Sequence, residues 1–215
     1  MEIYLARHGQ TEWNLMHRIQ GQTNTKLSPL GIQQSEDLLR ALKAFPITAI
    51  YTSTLDRTIQ TAQPLASYLN IPTYSIDLLN EIAFGVMEGI SISTMTAFDR
   101  KIWDWWKEDP TQRRVPGGES YQDLYHRAGL FLDDLHDIEE QGIILIVGHY
   151  RINQMLLAHL CKIPVNEAVA IQQANNWIYH IRNDSEIRGS VVPTQPDGEF
   201  KWQNGLIMSN VKTAS

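Results

Sequence analysis

Five consecutive apolar residues, Ile143-Ile144-Leu145-Ile146-Val147, end abruptly at Gly148-His149. A strand with one wet face alternates polar and apolar side chains, so a short run without alternation reads as a strand buried on both faces. Such strands belong to parallel sheets covered by helices on each side. Shorter runs at Ile3 to Ala6, Ala49 to Thr52 and Thr73 to Ile76 supply companions. Helical stretches separate them. Ser28-Pro29 predicts an N-cap with proline in the first turn, continued by Leu38, Leu39, Leu42 and Phe45. A second helix is expected from about Ser53 to Leu69, kinked or restarted at Pro64. A third opens at Ser120 and Asp123 with capping-box spacing and carries Leu124, Ala128, Phe131, Leu132, Leu135 and Ile138 on one face. A fourth follows His149, with Ile152, Met155, Leu156, Leu160 and Ile163 inward. The alternation predicts an α/β fold with a mostly parallel central sheet.

Ile90 to Pro116 interrupts the alternation and reads as a helical excursion over one end of the sheet. Its Trp103, Trp105 and Trp106 suit either core packing or a substrate platform, and packing is the commoner use. The carboxyl end predicts a strand at Trp177 to Ile181 and a β-meander through Val191-Val192 and Leu206-Ile207, with fraying from about Ser209. With 215 residues, no repeat and no Pro/Gly/Ser linker, residues 1–215 are expected to form one domain.

Charge and cysteine usage exclude several functions. The net charge is -6 and the densest basic block is the pair Arg113-Arg114, which argues against a broad nucleic-acid-binding face. No stretch approaches the roughly 18 apolar residues of a membrane span, and the amino end lacks a signal pattern. The single cysteine, Cys161, reads as a buried helix thiol, and a cytoplasmic location is expected. Oligomeric state is not legible, because the Trp-rich segment suits a lid or a homodimer contact.

In open parallel sheets ligands bind beyond the carboxyl ends of the strands. The first strand ends in Arg7-His8-Gly9, the second leads into Ser53 and Arg57, the third precedes Glu81, and the apolar run ends at His149. Two arginines, two histidines and one carboxylate thus gather at one sheet edge. Taken singly, each has an ordinary structural reading, which His17, His126, His136, His159 and His180 receive here. Two histidines and a glutamate could also ligate a metal. Two arginines beside the same point would repel a dication, and guanidinium forks match phosphate oxygens, so an anion site is the favoured reading. A neutral imidazole can attack phosphorus, a charged one can donate to the oxygens, and a carboxyl group can protonate the leaving oxygen. That chemistry needs no metal and no cofactor.

Five ordered motifs carry a resemblance. LARHGQTEWN (Leu5 to Asn14) with HRIQG (His17 to Gly21), YTSTLDRTIQTA (Tyr51 to Ala62), LNEIAFGVMEG (Leu79 to Gly89), PGGES (Pro116 to Ser120) and IVGHY resemble the histidine phosphatase superfamily, the phosphoglycerate mutase-like proteins. The resemblance implies a three-layer α/β/α sandwich with His8 as phosphorylated nucleophile. It further implies that Arg7, Arg57 and His149 complete the phosphate pocket, with Glu81 as proton donor. Asn14 becomes a further phosphate or substrate contact, and Gln20 and Gly21 lie on the pocket rim. Glu88 and Thr11 take structural roles. Two departures stand out: Tyr150-Arg151 where the family usually has glycine after the second histidine, and Val86-Met87 where tryptophan often precedes the Glu-Gly pair. Tyr150 could narrow the pocket, and Arg151 could add an anion contact or face solvent.

The family divides into phosphatases and mutases. Glycolytic mutases carry a longer insertion before the GES motif with an arginine pair at its start, whereas only a short excursion surrounds Arg113-Arg114 here. The missing length favours a phosphatase acting on a small phosphorylated metabolite. A cofactor-dependent phosphoglycerate mutase and a non-catalytic phosphate-binding regulatory protein are the alternatives.

Overall fold

The computed structural model describes residues 1–138, 142–182, 187–192 and 201–206. Among these, seven strands form one sheet: β1 (Glu2–Arg7), β2 (Ala49–Thr52), β3 (Thr73–Ser75), β4 (Ile143–Gly148), β5 (Trp177–Ile181), β6 (Ile187–Val191) and β7 (Gln203–Asn204). Their order is β3-β2-β4-β1-β5-β6-β7. The first four are mutually parallel, and β5 to β7 extend the sheet antiparallel from β1. The sheet is therefore mixed, with the predicted parallel part at its centre. In β4, Ile144, Leu145, Ile146 and Val147 are all fully buried, as their unbroken apolar run requires.

Successive β4 side chains feed two cores. Leu145 and Val147 join Tyr4, Ala6 and Ile50 beneath Leu38, Leu42, Ala62 and Leu65. These last belong to α2 (Pro29–Leu42) and α3 (Asp56–Leu69). Ile144 and Ile146 join Ile3, Leu5 and Tyr51 against Leu124, Phe131, Met155 and Leu156 on the opposite face. Those residues come from α5 (Tyr121–Ile138) and α6 (Tyr150–Leu160). Each buried Leu or Ile contributes about 1.5–3 kcal/mol of transfer free energy, so both faces of the sheet are driven closed.

This layering creates the crevice that holds the site. β1 and β4 are neighbours, but the chain leaving β1 passes through the one-turn helix α1 (Glu12–Leu15) to α2 on one face. The chain leaving β4 enters α6 on the other face. Adjacent strands whose continuations diverge leave a gap at their carboxyl ends.

Several boundaries differ from expectation for local reasons. α3 begins at Asp56, because the Ser53 hydroxyl is engaged in a turn with the Leu55 amide and Thr58. It then continues through Pro64 to Leu69. The last described strand is Gln203–Asn204, pairing with Arg188 and Gly189, and not Leu206-Ile207. Leu206 packs against the core, while Ile207 and the tail from Ser209 lie outside the described residues. Cys161 sits half-buried at the end of α6, and burial pushes its thiol up to about 11.

The excursion before Pro116 contains α4 (Ala97–Glu108), capped by the Thr96 and Asp99 pair, and α7 (Val165–Ala168) follows α6. Spacing of three residues places Trp103 and Trp106 on one face of α4, where they stack at 4.9 Å and enclose Phe84. Trp105 is 45% exposed, with the Arg113 guanidinium over its ring. The tryptophans thus pack mainly as core, and only Trp103 reaches the crevice. No helix among the described residues is long and apolar enough to cross a membrane.

Candidate active site

A cavity of about 290 Å³ opens at the carboxyl ends of β1 and β4. Arg7 and His8 form part of its wall, with Arg57 from the first turn of α3 and Glu81 from the loop after β3. Asn14, Gln20, Gly21, Tyr150 and Arg151 also line it. Every site residue expected from the sequence reaches this cavity except His149, which is fully buried behind it.

His8 is held by backbone. Its amide donates to the Gly148 carbonyl at 3.0 Å, and Asn175 Nδ2 donates to its carbonyl at 2.7 Å. Nδ1 lies 2.7 Å from the Gly9 carbonyl oxygen, which can only accept. Nδ1 therefore carries the hydrogen. Burial, reinforced by Arg57 and Arg7, holds the ring pKa well below the ordinary histidine value. A neutral ring protonated at Nδ1 presents an unprotonated Nε2.

Arg57 is fully buried and directed by three acceptors. Nη2 donates to the Gly21 carbonyl at 2.7 Å, Nη1 to the Thr23 carbonyl at 2.9 Å, and Nε to His149 Nδ1 at 3.1 Å. Each terminal nitrogen keeps a second N–H. Arg7 Nη1 donates to the Gln173 carbonyl at 3.1 Å, and its guanidinium lies 5.1 Å from the Tyr150 ring centre. Its Nε is buried without a partner among the described residues. Burial lowers both arginines to about 10, while Glu81 opposes the loss of charge.

The charged role expected for His149 is not what the geometry gives. Arginine is an obligate donor, so His149 Nδ1 must accept from Arg57, and Nε2 faces the Ser53 hydroxyl at 2.7 Å. Burial and Arg57 hold its pKa well below the ordinary value. Both ring nitrogens are occupied, and the ring is neutral.

Glu81 is 7% exposed. Its Oε1 accepts from the amides of Ile82 at 3.0 Å, Arg151 at 3.2 Å and Ile152 at 3.3 Å. The amino end of α6 therefore seats a carboxylate of the protein itself. The backbone around Glu81 is clamped by Arg127, which donates to the carbonyls of Leu78 (2.7 Å), Asn80 (2.6 Å) and Glu81 (3.0 Å). Arg127 also grips Glu119 through two bonds, and Glu119 accepts from the Ala83 amide. All five guanidinium N–H groups are used.

The rim is braced from outside. Thr11 caps α1, and its hydroxyl lies within hydrogen-bond distance of Asn14 and Gln20. Glu88 accepts from the amides of Gln22 and Phe84 and from the Thr23 hydroxyl, the structural role expected of it. Gly21 adopts φ +52°, and a Cβ there would fall 2.0 Å from Glu88 Oε1. Tyr150 accepts from Gln172 Nε2 at 2.8 Å. Arg151 is half-buried and turns into the wall, 4.7 Å from the Phe84 ring centre. Sequence reading missed Arg18, Ile19, Phe84 and Ile92 as lining residues, and Ser53, Gln173 and Asn175 as supports; Trp103, for which packing and a platform were both open, lines the cavity. Among the described residues, no three His, Cys, Asp or Glu side chains gather as metal ligands.

The family model for the histidine phosphatase superfamily (branch 1) matches residues 3–189. The chain belongs to this superfamily. Among curated members, a probable phosphoglycerate mutase GpmB of Proteus mirabilis is 33% identical over 165 residues, covering 76% of each chain. The GpmB of Shigella boydii is 32% identical over 200 residues, covering 92% of this chain and 93% of its own. Two solved structures of the superfamily are phosphatases by name. The alpha-ribazole phosphatase of Shigella flexneri has a TM-score of 0.80 at 25% identity, with 91% and 97% coverage. A mycobacterial glucosyl-3-phosphoglycerate phosphatase in complex with VO3 has a TM-score of 0.73 at 25% identity, with 95% and 97% coverage. Sequence relatives named as mutases and structural relatives named as phosphatases leave the superfamily's two activities to be separated on this chain's own residues.

Proposed function

We propose that this chain is a metal-independent phosphomonoester hydrolase that works through a phosphohistidine at His8 on a small phosphorylated metabolite. The observation that carries the reading is the hydrogen bond from His8 Nδ1 to the Gly9 carbonyl, which leaves Nε2 with a free electron pair on the cavity wall beside Arg7 and Arg57. In the first step Nε2 attacks phosphorus and the P–O ester bond breaks, while Glu81, which takes up a proton in the substrate complex, passes it to the departing oxygen. In the second, water attacks the phosphohistidine, Glu81 takes a proton from it, and inorganic phosphate leaves as the imidazole is restored. Arg7 and Arg57 offset charge on the equatorial oxygens. His149 acts as a positioning residue that fixes Arg57 through Nε. The α4 segment serves as the lid of the cavity, with Trp103 at its inner surface.

The names of the curated relatives favour a mutase as the second reading. Against it, the arginine pair is spent elsewhere: Arg113 pairs with Glu108, and Arg114 grips Asp123 in two bonds at 2.5 and 2.6 Å. Neither lines the cavity.

Incubation with an aryl phosphate tests the hydrolase. Phosphate release should survive a chelator and vanish in His8→Ala, and activity that the chelator abolishes would overturn the metal-independent reading. Acid-labile, base-stable phosphate on the quenched protein is expected at His8. Product partition from 3-phosphoglycerate separates the two readings, since isomerised acid without net phosphate release identifies a mutase.

A further inference from the structure

His8 keeps its tautomer through one peptide group, and that group is held from behind. The Gly9 carbonyl, 2.7 Å from His8 Nδ1, and the Gln10 amide belong to the same planar unit, whose C=O and N–H point in opposite directions. The Gln10 N–H therefore faces away from the ring, and it donates to Gln34 Oε1 at 2.8 Å. Gln34 is half-buried in the second turn of α2. The start of the same helix secures the rest of Gln10. The Ser28 amide donates to the Gln10 carbonyl at 2.8 Å, and the Ser28 hydroxyl donates to Gln10 Oε1 at 2.9 Å. Two glycines let the backbones meet directly: a Cβ on Gly9 would fall 2.6 Å from the Gly31 oxygen, and one on Gly31 would fall 2.0 Å from the Gln10 oxygen. The preceding peptide is fixed from α3. The Gly9 amide donates to the Thr61 hydroxyl at 2.9 Å, which donates in turn to the Arg57 carbonyl at 2.6 Å.

We propose that Gln34 is a positioning residue for the nucleophile, acting through the Gly9–Gln10 peptide to hold His8 in the tautomer that leaves Nε2 free. Hydrogen bonds in a chain polarise one another, so an amide whose N–H is engaged becomes a stronger acceptor at its oxygen. The Nδ1–H bond to that oxygen is strongest when the ring is charged. The imidazole becomes a cation as the N–P bond forms at Nε2, so the support from Gln34 grows toward the transition state and lowers the barrier. Aspartate plays the corresponding part for the histidine of a serine-hydrolase triad. Here two amides in series take it without adding a charge. That role rests on His8 as the nucleophile proposed above.

Long-range proton–nitrogen NMR reads the ring without turnover, with His8→Asn identifying its signals. At about pH 7.5, above the ordinary histidine pKa, native His8 should carry its hydrogen on Nδ1 and none on Nε2. Gln34→Met keeps the length of the side chain and removes the acceptor, and it should move both nitrogen shifts toward a mixture of tautomers. It should also lower kcat on an aryl phosphate about fivefold, within the range of one neutral hydrogen bond, while inhibition by inorganic phosphate stays within about twofold of native. Gln34→Glu retains the acceptor and should restore most of both readouts. Gln33→Met, one position earlier and exposed, should change neither. Should Gln34→Met not fold, Gln34→Asn, which draws the acceptor back by one methylene, should show the same changes in smaller measure. Unchanged His8 shifts or an unchanged kcat in the variant that folds, no recovery in Gln34→Glu, or an equal loss in Gln33→Met overturns the role of Gln34 alone. A native His8 with its hydrogen on Nε2, or a native protein that releases no phosphate, overturns the nucleophile assignment and this role together.

Discussion

Replacing Arg127 tests whether Glu81, the proposed proton donor, owes its place to a clamp it never touches through its own side chain. Arg127 is 13% exposed, bonds three carbonyls of the segment that carries Glu81, and shares two bonds with Glu119. Arg127→Met removes five charge-assisted bonds and leaves Glu119 without its partner. Breaking a buried pair costs 3–5 kcal/mol, and residual solvent access to both groups lowers that to about 3 kcal/mol. Arg127→Lys keeps the charge but has only three donors, so about half of that loss is expected. Chemical denaturation reads the stability, and initial rates on paired alkyl and aryl phosphates read the site. Positioned proton transfer contributes typically 10²–10⁴-fold, and a poor leaving group depends on it most. Arg127→Met should therefore slow alkyl esters about tenfold or more beyond aryl esters, as Glu81→Gln should do directly. If Glu81→Gln separates the two ester classes while Arg127→Met slows both equally, the clamp is a stability element only. If Glu81→Gln separates nothing, the proton-donor assignment itself fails.

Three further outcomes follow from the same geometry. Gly21→Ala combines a left-handed φ of +52° with a Cβ 2.0 Å from Glu88 Oε1, so a loss of about 2 kcal/mol or more in a denaturant titration is expected, with a raised KM as the Gly21 carbonyl shifts under Arg57. His8 and His149 remain neutral when folded, whereas the unfolded chain protonates them from about pH 6.5 downward. Stability should therefore be full above that value and fall between it and their depressed folded pKa values, by about 1.4 kcal/mol per pH unit for each histidine. Denaturation midpoints from pH 7.5 to 5.5 should show that slope, and His8→Asn should lessen it; an unchanged slope would refute the neutral assignment. Ser53→Ala removes the partner of His149 Nε2, and kcat should drop severalfold because Arg57 loses a fixed support.

The sheet edge was readable because its chemistry is local to strand ends. Arg7-His8, Gly148-His149 and the Glu81 loop each adjoin an apolar run whose pattern fixes its place in the sheet. Gln173 and Asn175 escaped because they reach the site only when β5 pairs antiparallel with β1, a contact across more than 160 residues that no local pattern encodes. The charge of His149 also escaped. Its state depends on accepting from Arg57 Nε, a detail of side-chain geometry and not of residue type. Capping boxes at Thr96 and Ser120 and the proline-led start of α2 are set by neighbours three residues apart, and of these the Ser28-Pro29 and Ser120-Asp123 signals were plain in the sequence.

The sheet order has a consequence for folding. β4 lies between β2 and β1, so residues 2–7 meet residues 143–148 only after more than 130 intervening residues have been made. His8, Arg57, Glu81 and His149 come from four separate stretches of chain that this one insertion brings into register. Such long closures are slow to form and leave little to reward a partly assembled chain. The residues of the proposed site are therefore expected to come together when β4 inserts. Regain of activity during refolding should lag helix formation and coincide with burial of β4, and a bound phosphate should raise the stability of the whole sheet instead of one loop.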